Sequence, residues 1–480
     1  MNHKTIIKFG TDGWRAVIAD EFTFANVRLC AQGVALYLEE EHPEGDGIVI
    51  GYDTRFQSAE FARTAAEVLA GNGIKVYLSD RAVPTPVISY AVKNLRACGG
   101  IVITASHNPA GWNGFKLKSA DGASAPVETV ARVEKFISAL SHDAVKTIPL
   151  HQGLEDGIIK VMDFAPAYGE QINRLLDLSV IRDSGLIIAV DSMHGAGGGY
   201  FKSLLGEGMC RIIEIKSEPN PAFPGMKQPE PIGGNLLELS EVVNKEKAAA
   251  GLATDGDADR LGIMDGHGNF MTQLQVYALL AYYFLEVRGE RGPIVKTITT
   301  TSMLNRLGEI YNVPVFETPV GFKYVAPVMI RENALMGGEE SGGYGFRSHV
   351  PERDGLLAGL YFLDFMARTG KTPSELLEQL YALVGPHHYD RRDIIFDEAA
   401  RKEIVGRMNT ASPGSVSGIK VLKKEITDGF RFILQDGSWL LVRFSGTEPL
   451  LRIYAESNNL DNVRRLLDDG LKMAGVKDAS

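Results

Sequence analysis

Short apolar runs that break off into Gly, Asp, Ser or Thr return again and again along this chain, with helical stretches between them. GIVIGYD (47–53) leads into an amphipathic pattern from Ser58 to Ala70, followed by IKVYLSD (74–80) and GGIVITAS (99–106). The same rhythm recurs at GLIIAVDSMHGAGG (185–198), AGLATDGDADRLGIMD (250–265), GPIVKTITTT (292–301) and ALMGGEESGG (334–343). Buried strands alternating with crossover helices define an α/β protein, and its ligands collect where the strands end in polar turns. With 480 residues the chain exceeds one core, so three or four domains are expected. Beyond about Pro386 the pattern changes to RRDIIFD, GIKVLKK, FRFILQD and WLLVRFSG, strands with few helices until Asp461 to Ala474. This predicts a separate α+β domain at the end. Linkers are expected around Ser141 to Asp156, near Gly266 and near Gly385.

The 50 Lys and Arg against 60 Asp and Glu leave a formal charge of −10, which excludes a chain built mainly to neutralise nucleic-acid phosphates. Any anion must be held locally. Cys30, Cys98 and Cys210 lie far apart, so neither a disulfide framework nor a zinc cluster is expected, and a reducing cytoplasm fits. The start MNHKTIIKFGTDG lacks an apolar leader core, and VYALLAYYFL from Val276 is too short to span a bilayer. No membrane partner is expected.

Four loops carry chemistry. Ser106 ends the run IVITA and precedes His107-Asn108-Pro109, a rigid strand-to-turn hydroxyl with a proton acceptor beside it and Lys116 ten residues on. No G-x-S-x-G surrounds it, so an esterase elbow is not expected. TDGDADR places Asp255, Asp257 and Asp259 at alternate positions, followed by Arg260. Three clustered carboxylates repel one another unless a cation is present, and all-oxygen ligation favours Mg²⁺, Ca²⁺ or Mn²⁺. An EF-hand fails, because its sixth and twelfth positions would be Arg260 and Gly266. GGEESGG (337–343) sets Glu339, Glu340 and Ser341 among glycines, groups suited to sugar hydroxyls. RFSGTEPLLRIYAE (443–456) offers Arg443, Ser445, Gly446, Thr447 and Arg452, a phosphate cradle without the GKS/T ending of an ATP-binding loop.

In this order the motifs TASHNP, DGDADR, GEESGG and RFSGTEP, with FGTDGWR (9–15) before them, resemble the α-D-phosphohexomutase family of phosphoglucomutases and phosphomannomutases over nearly the whole chain. The resemblance implies four domains around a central cleft: three related α/β mixed-sheet sandwich domains and a C-terminal α+β domain of TATA-binding-protein-like fold. With the pattern above, it divides the chain into a phosphoserine-loop domain (1–150), a metal-binding domain (151–268), a sugar-binding domain (269–385) and a phosphate-binding domain (386–480). It further implies that Ser106 carries a phosphoryl group and completes a Mg²⁺ site with Asp255, Asp257 and Asp259. The implied reaction interconverts hexose 1-phosphate and hexose 6-phosphate through a hexose 1,6-bisphosphate, glucose 1,6-bisphosphate serving as activator and the last domain moving.

Arg15 and Lys116 match basic family positions near the phosphoserine, Lys116 as the leading proton-transfer group, and Arg260 falls beside the metal. Gly321 and Lys323 in TPVGFKYV, and Arg353 and Asp354 in PERDG, resemble sugar-domain segments, although Asp354 equally reads as the N-cap of the helix that follows. Two departures stand out. Gly343 occupies a position where many members carry histidine, with His349 as the candidate substitute, and Phe444 replaces the frequent proline of RPSGTEP. GEESGG looks closer to glucose- or mannose-phosphate members than to phosphoglucosamine mutases, which typically carry glutamine at the second glutamate. Glucose is slightly favoured over mannose. The rivals are a phosphoglucosamine mutase, an aspartate-nucleophile phosphatase and a non-catalytic sugar-phosphate binder. The phosphatase requires threonine or valine where Asp259 stands, and the binder is expected to lack Ser106 or an aspartate that is present.

Overall fold

The structure, a computed structural model, describes residues 7–10, 12–42, 46–445 and 450–476. Strands β1 (Trp14–Val17), β2 (Ile48–Tyr52), β3 (Val76–Ser79), β4 (Gly99–Ile103), β5 (Trp112–Lys118) and β6 (Ile159–Met162) form one sheet in the order β1-β5-β4-β2-β3-β6. A second sheet is built from β7 (Ile187–Asp191), β8 (Arg211–Ile215), β9 (Ala250–Thr254), β10 (Leu261–Met264) and β11 (Phe270–Met271), ordered β11-β10-β9-β7-β8. The third holds β12 (Ile294–Thr297), β13 (Val315–Thr318), β14 (Met336–Gly338) and β15 (Tyr344–Phe346), ordered β13-β12-β14-β15.

One four-strand unit therefore appears three times: β3-β2-β4-β5, β8-β7-β9-β10 and β13-β12-β14-β15. In each, three strands run parallel and the fourth returns antiparallel. The parallel strands read as continuous apolar runs because helices such as Ser58–Gly71 and Thr85–Asn94 cross over the sheet between them. The turn between the third and fourth strand of each unit is, in chain order, the Ser106 loop, the Asp255 loop and the Glu339 loop.

The first sheet reaches past residue 150. The segment expected as a linker folds back onto it: the amides of Ile148 and Leu150 donate to Glu67 at 3.2 and 3.0 Å, and β6 pairs in parallel with β3. Ile159 then fills the same core as Ile48, Ile101 and Leu69. Gly71 makes this possible, since a Cβ there would lie 2.7 Å from the Thr147 backbone.

Helix Gly355–Thr369 is buried on every face as far as Met366 and joins the second and third units. Its Gly359 lies against Leu252 and Phe201, where a Cβ would come within 2.7 Å of each. Asp354 caps it, accepting the Leu357 amide at 2.8 Å, and also accepts Tyr168 Oη at 2.8 Å and pairs with His349 Nε2 at 3.0 Å. The last unit differs in kind. Strands β16 (His388–Ile395), β17 (Ser415–Val416), β18 (Ile419–Glu425), β19 (Phe430–Leu434), β20 (Trp439–Phe444) and β21 (Leu450–Ser457) form an antiparallel sheet, ordered β16-β21-β20-β19-β18-β17. Helix Leu460–Ala474 covers it with Val463, Leu466 and Leu467.

Replacing Asp354 with Ala removes a cap and leaves two buried groups without their acceptor, at a cost of about 3 kcal/mol. Urea unfolding followed by circular dichroism is expected to show an earlier midpoint for Asp354→Ala, and a smaller change for Asp354→Asn, which keeps a capping oxygen.

Candidate active site

The three equivalent turns meet edge to edge. Ser106 has φ of 51°, a left-handed conformation that costs a non-glycine residue roughly 1–2 kcal/mol. Its amide donates to Thr104 Oγ1 at 2.8 Å, and its hydroxyl donates to Asp255 Oδ2 at 2.9 Å. His107 Nδ1 lies 3.4 Å from the same hydroxyl. Burial, then the charges of Arg260, Arg15 and Lys116, push the His107 pKa well below its ordinary value, so the ring is neutral at pH 7. Arg15 Nη1 donates to Asn108 Oδ1 at 2.9 Å, which ties the strand after FGTDG to the serine loop.

Asp255, Asp257 and Asp259 are fully buried and bring one carboxylate oxygen each within 4.8 Å of the others. Asp255 Oδ1 accepts the amides of Asp259 and Arg260, which fixes the turn. Asp257 Oδ2 accepts Thr85 Oγ1 at 2.6 Å and Lys116 Nζ at 2.8 Å, and Lys116 also reaches Asp259 Oδ2 at 3.4 Å. Among the described residues, the remaining oxygens, Asp257 Oδ1 and Asp259 Oδ1, are buried without a hydrogen-bond partner. Buried acceptors left unpaired are costly, and hard oxygens converging in this way fit a divalent cation.

The charges explain why the cluster holds together. Two unit charges 4 Å apart interact by about 4 kcal/mol at the effective dielectric of a protein site. Burial, then Asp259 and Asp257, push the Asp255 carboxyl well above its usual range. Burial acts the same way on Asp257, but the Lys116 ammonium and the Thr85 hydroxyl overcome it and hold Asp257 below the usual range. Lys116 is itself buried, which alone would lower its pKa; Asp12, Asp257 and Asp259 outweigh that and raise it. Arg260 Nε stands 3.9 Å from Asp255 and 3.8 Å from Asp259, with Nη1 on Glu230 at 3.3 Å.

The Glu339 loop is pinned to the aspartate loop by the Leu261 amide, which donates to Gly342 O at 2.9 Å. Arg353 joins the two: its guanidinium pairs with Asp259 at 2.9 Å, Asp12 at 2.7 Å and Glu339 at 3.3 Å. Gly343 is what admits it, since a Cβ there would lie 2.3 Å from Arg353 Cδ. Arg353 thus fills the space into which a histidine at 343 would grow. His349 does not substitute for that histidine. It is 3% exposed, bonded to Asp354 and stacked on Tyr90, and so belongs to the core. Ser341 is half-buried in the same turn. Gly321, with φ of 127°, precedes helix Phe322–Glu332, and Lys323 in its first turn lines a cavity of about 120 Å³ with Asp12, Ser124 and Glu134.

Glu340 faces elsewhere. Its carboxylate accepts Tyr389 Oη at 2.9 Å and Arg391 Nη1 at 2.7 Å, both on β16 of the last unit. In that unit Arg443 on β20 stands directly opposite Arg452 on β21. Like charges directly across a ladder destabilise it, an arrangement suited to a bound anion. Arg443 Nε lies 3.0 Å from Asp428, which also accepts the Val320 amide at 2.9 Å, and Arg452 Nε lies 3.7 Å from Asp393. Phe444 packs on Phe396 and under the Arg401 guanidinium. Ser445 is buried, whereas Gly446 and Thr447 lie outside the described residues.

Sequence reasoning passed over Asp12, Thr85 and Arg55. Asp12 sits in the quoted FGTDGWR and receives Lys116 at 2.9 Å, Arg15 at 3.2 Å and Arg353 at 2.7 Å. A carboxylate within a motif otherwise read for its arginine was the available signal. Thr85 gave none, because only the fold brings it to Asp257.

Family models for phosphoglucomutase/phosphomannomutase match the chain in four consecutive pieces: α/β/α domain I over 7–143, domain II over 166–268, domain III over 273–384 and the C-terminal domain over 403–472. A phosphoglucomutase/phosphomannomutase of Thermococcus kodakarensis is 33% identical over 466 residues, covering 97% of this chain and 98% of the relative. A phosphoglucosamine/phosphogalactosamine mutase of Sulfurisphaera tokodaii is 30% identical over 473 residues, 97% of this chain and 98% of the relative. The crystal structure of a Thermus thermophilus protein assigned as a phosphomannomutase superposes with a TM-score of 0.85 at 35% identity, covering 98% of this chain and 99% of that one. The protein belongs to the phosphoglucomutase/phosphomannomutase family of phosphohexomutases, isomerases that act as intramolecular phosphotransferases.

Proposed function

We propose that this chain interconverts hexose 1-phosphate and hexose 6-phosphate through a phosphoserine at Ser106, with glucose or mannose as the sugar and glucose slightly preferred. The observation that carries the reading is the Ser106 hydroxyl on Asp255, at the edge of a buried three-carboxylate cluster whose two unpaired oxygens call for a cation. Asp255, Asp257, Asp259 and the phosphorylated Ser106 would hold Mg²⁺, which when bound neutralises phosphoryl charge in transfer.

The chain's own groups do the rest. Ser106 gives its phosphoryl group to the 6-hydroxyl of a hexose 1-phosphate, producing the 1,6-bisphosphate. After the sugar turns in the cleft, the serine recovers phosphate from position 1 and the 6-phosphate leaves. Lys116, kept cationic by three carboxylates, supplies the proton that Ser106 Oγ takes up as it loses phosphate, and the hydroxyl proton of the acceptor replaces it. His107, neutral beside Ser106, is the second proton carrier. Glu339, Ser341, Gly321, Lys323 and Arg353 hold the sugar, while Arg443, Ser445, Gly446, Thr447 and Arg452 hold the phosphate that is not reacting. Arg15 and Arg260 keep the serine and metal loops in place.

The phosphoglucosamine reading is the second one, and full-length relatives of that class at 30% identity favour it. Glu340 does not oppose it through sugar contact, since its carboxylate is engaged by Tyr389 and Arg391.

³¹P NMR of the protein with Mg²⁺, glucose 1-phosphate and a trace of glucose 1,6-bisphosphate is expected to show glucose 6-phosphate growing, and Ser106→Ala to lower kcat about a thousandfold or more. Inorganic phosphate alone would make the protein a phosphatase. Faster conversion of glucosamine 1-phosphate than of glucose or mannose 1-phosphate would move the assignment to the second reading. In a separate thermal-shift experiment, Mg²⁺ at a hundred times its Kd is expected to stabilise the protein by about 2.7 kcal/mol. Asp257→Asn should abolish that shift, and its persistence would remove Asp257 from the cation site.

A further inference from the structure

Behind the serine loop lies a residue that none of the four motifs contains. Arg55 follows β2 in GYDTR and is buried, its side chain fully shielded from solvent. Its guanidinium donates to four backbone carbonyls of one turn: Nη2 to Ser106 O at 2.6 Å and Asn108 O at 2.5 Å, and Nη1 to Pro109 O at 2.9 Å and Trp112 O at 3.0 Å. Few arrangements fix a loop so completely, because a planar fork of donors sets direction as well as distance. Asp53 holds the fork from behind, with Oδ2 3.2 Å from Arg55 Nε. The same Oδ2 accepts Thr104 Oγ1 at 2.6 Å, and Thr104 in turn accepts the Ser106 amide. Ser106 is therefore gripped at both its amide and its carbonyl by one buried Asp53–Arg55 pair.

The grip extends to the metal-binding unit. The Arg55 guanidinium lies over the Phe223 ring at 5.0 Å, and Thr54 Oγ1 donates to His194 O at 2.8 Å. Gly256, inside the aspartate loop, packs so closely on the serine turn that a Cβ would sit 2.6 Å from Ser106 O, the oxygen Arg55 holds. Pulling that carbonyl toward Arg55 leaves the Ser106 hydroxyl aimed at Asp255.

We propose that Arg55 is a positioning residue for phosphoryl transfer: it locks the left-handed Ser106 turn so that Oγ stays on the aspartate cluster. The inference rests on the phosphoserine reading of Ser106. Arg55 touches no reacting atom, so its loss should appear in kcat and leave ground-state sugar binding alone. A displacement of about 1 Å of a reacting group costs about a hundredfold in rate.

The test compares wild type, Ser106→Ala, Arg55→Lys, Arg55→Gln and Phe223→Leu in the glucose 1-phosphate assay, with kcat and KM separated and each variant's thermal melt recorded. An ammonium has three donors for four carbonyls, so Arg55→Lys should keep part of the function. The expected order is a kcat loss of about tenfold for Lys and about a hundredfold for Gln, with KM within about threefold of wild type. Phe223→Leu, which removes only the ring beneath the guanidinium, should lower kcat severalfold at unchanged KM. Folded Arg55 variants with wild-type kcat, or with raised KM at unchanged kcat, would overturn the positioning role while Ser106→Ala remains inactive. If Ser106→Ala retains full turnover, the phosphoserine reading itself fails, and the Arg55 proposal with it.

Discussion

Lys116 brings one positive charge to a point where Asp12, Asp257 and Asp259 each lie within 3.4 Å, and that charge allows the three turns to share one interior. Lys116 and Asp12 come from the first unit, Asp257 and Asp259 from the second, and Arg353, which binds both Asp12 and Asp259, from the third. Buried charges in such numbers are tolerable only when each is paired. The hydrogen bonding is incomplete, since among the described residues one oxygen on each of Asp257 and Asp259 has no hydrogen-bond partner, the Asp259 oxygen facing Arg260 Nε at 3.8 Å. The ion network thus does two jobs at once: it joins three sheets, and it leaves two carboxylate oxygens without a hydrogen bond in the aspartate cluster that Ser106 touches.

The sequence was legible where the signal is local. Strand-ending turns at 104–106, 254–260 and 338–343 stood out because apolar runs cannot end in Asp, Glu or Ser without reaching a surface or a site. Each does end at the site. What local pattern did not disclose is that the three turns occupy one topological place, the crossing from the third to the antiparallel fourth strand of a repeated unit. That symmetry lies in strand order. Order is set by which helices cross which face, and no short period in residues records it. The stretch Ser141 to Asp156 reads as a linker because it is polar, yet its helix Leu150–Glu155 is tied down by Glu67, far earlier in the chain.

Residues that act by holding others were the least visible. Asp53 and Thr104 are an ordinary turn aspartate and threonine until the fold links them in a relay, Thr104 accepting the Ser106 amide and donating to Asp53. The change at 343 shows the same dependence. As a sequence departure, Gly343 looks like a lost contact; in the fold it is the gap through which Arg353 reaches Asp259 and Glu339. A histidine at 343 and an arginine at 353 in this rotamer compete for one volume, so the two positions have to be interpreted as a pair.

The last unit is attached on different terms. Among the described residues it meets the third unit through a small cluster of Ile298, Trp439, Leu441 and Tyr454 and through polar contacts that include Glu340 with Tyr389 and Arg391, Asp428 with the Val320 amide, Arg431 with Glu317, and Glu456 with Ser302. These contacts are largely polar and in part buried, in contrast to the apolar interior shared by the second and third units around helix Gly355–Thr369. Two of these polar contacts lie at the Glu339 loop and at the TPVGFK turn of the third unit. Arg443 and Arg452 stand opposite each other across the ladder, and Asp428 beside Arg443 offsets part of their repulsion. Because Asp428 also holds the Val320 amide, Arg443 is tied through one carboxylate to the turn that carries Gly321 and Lys323.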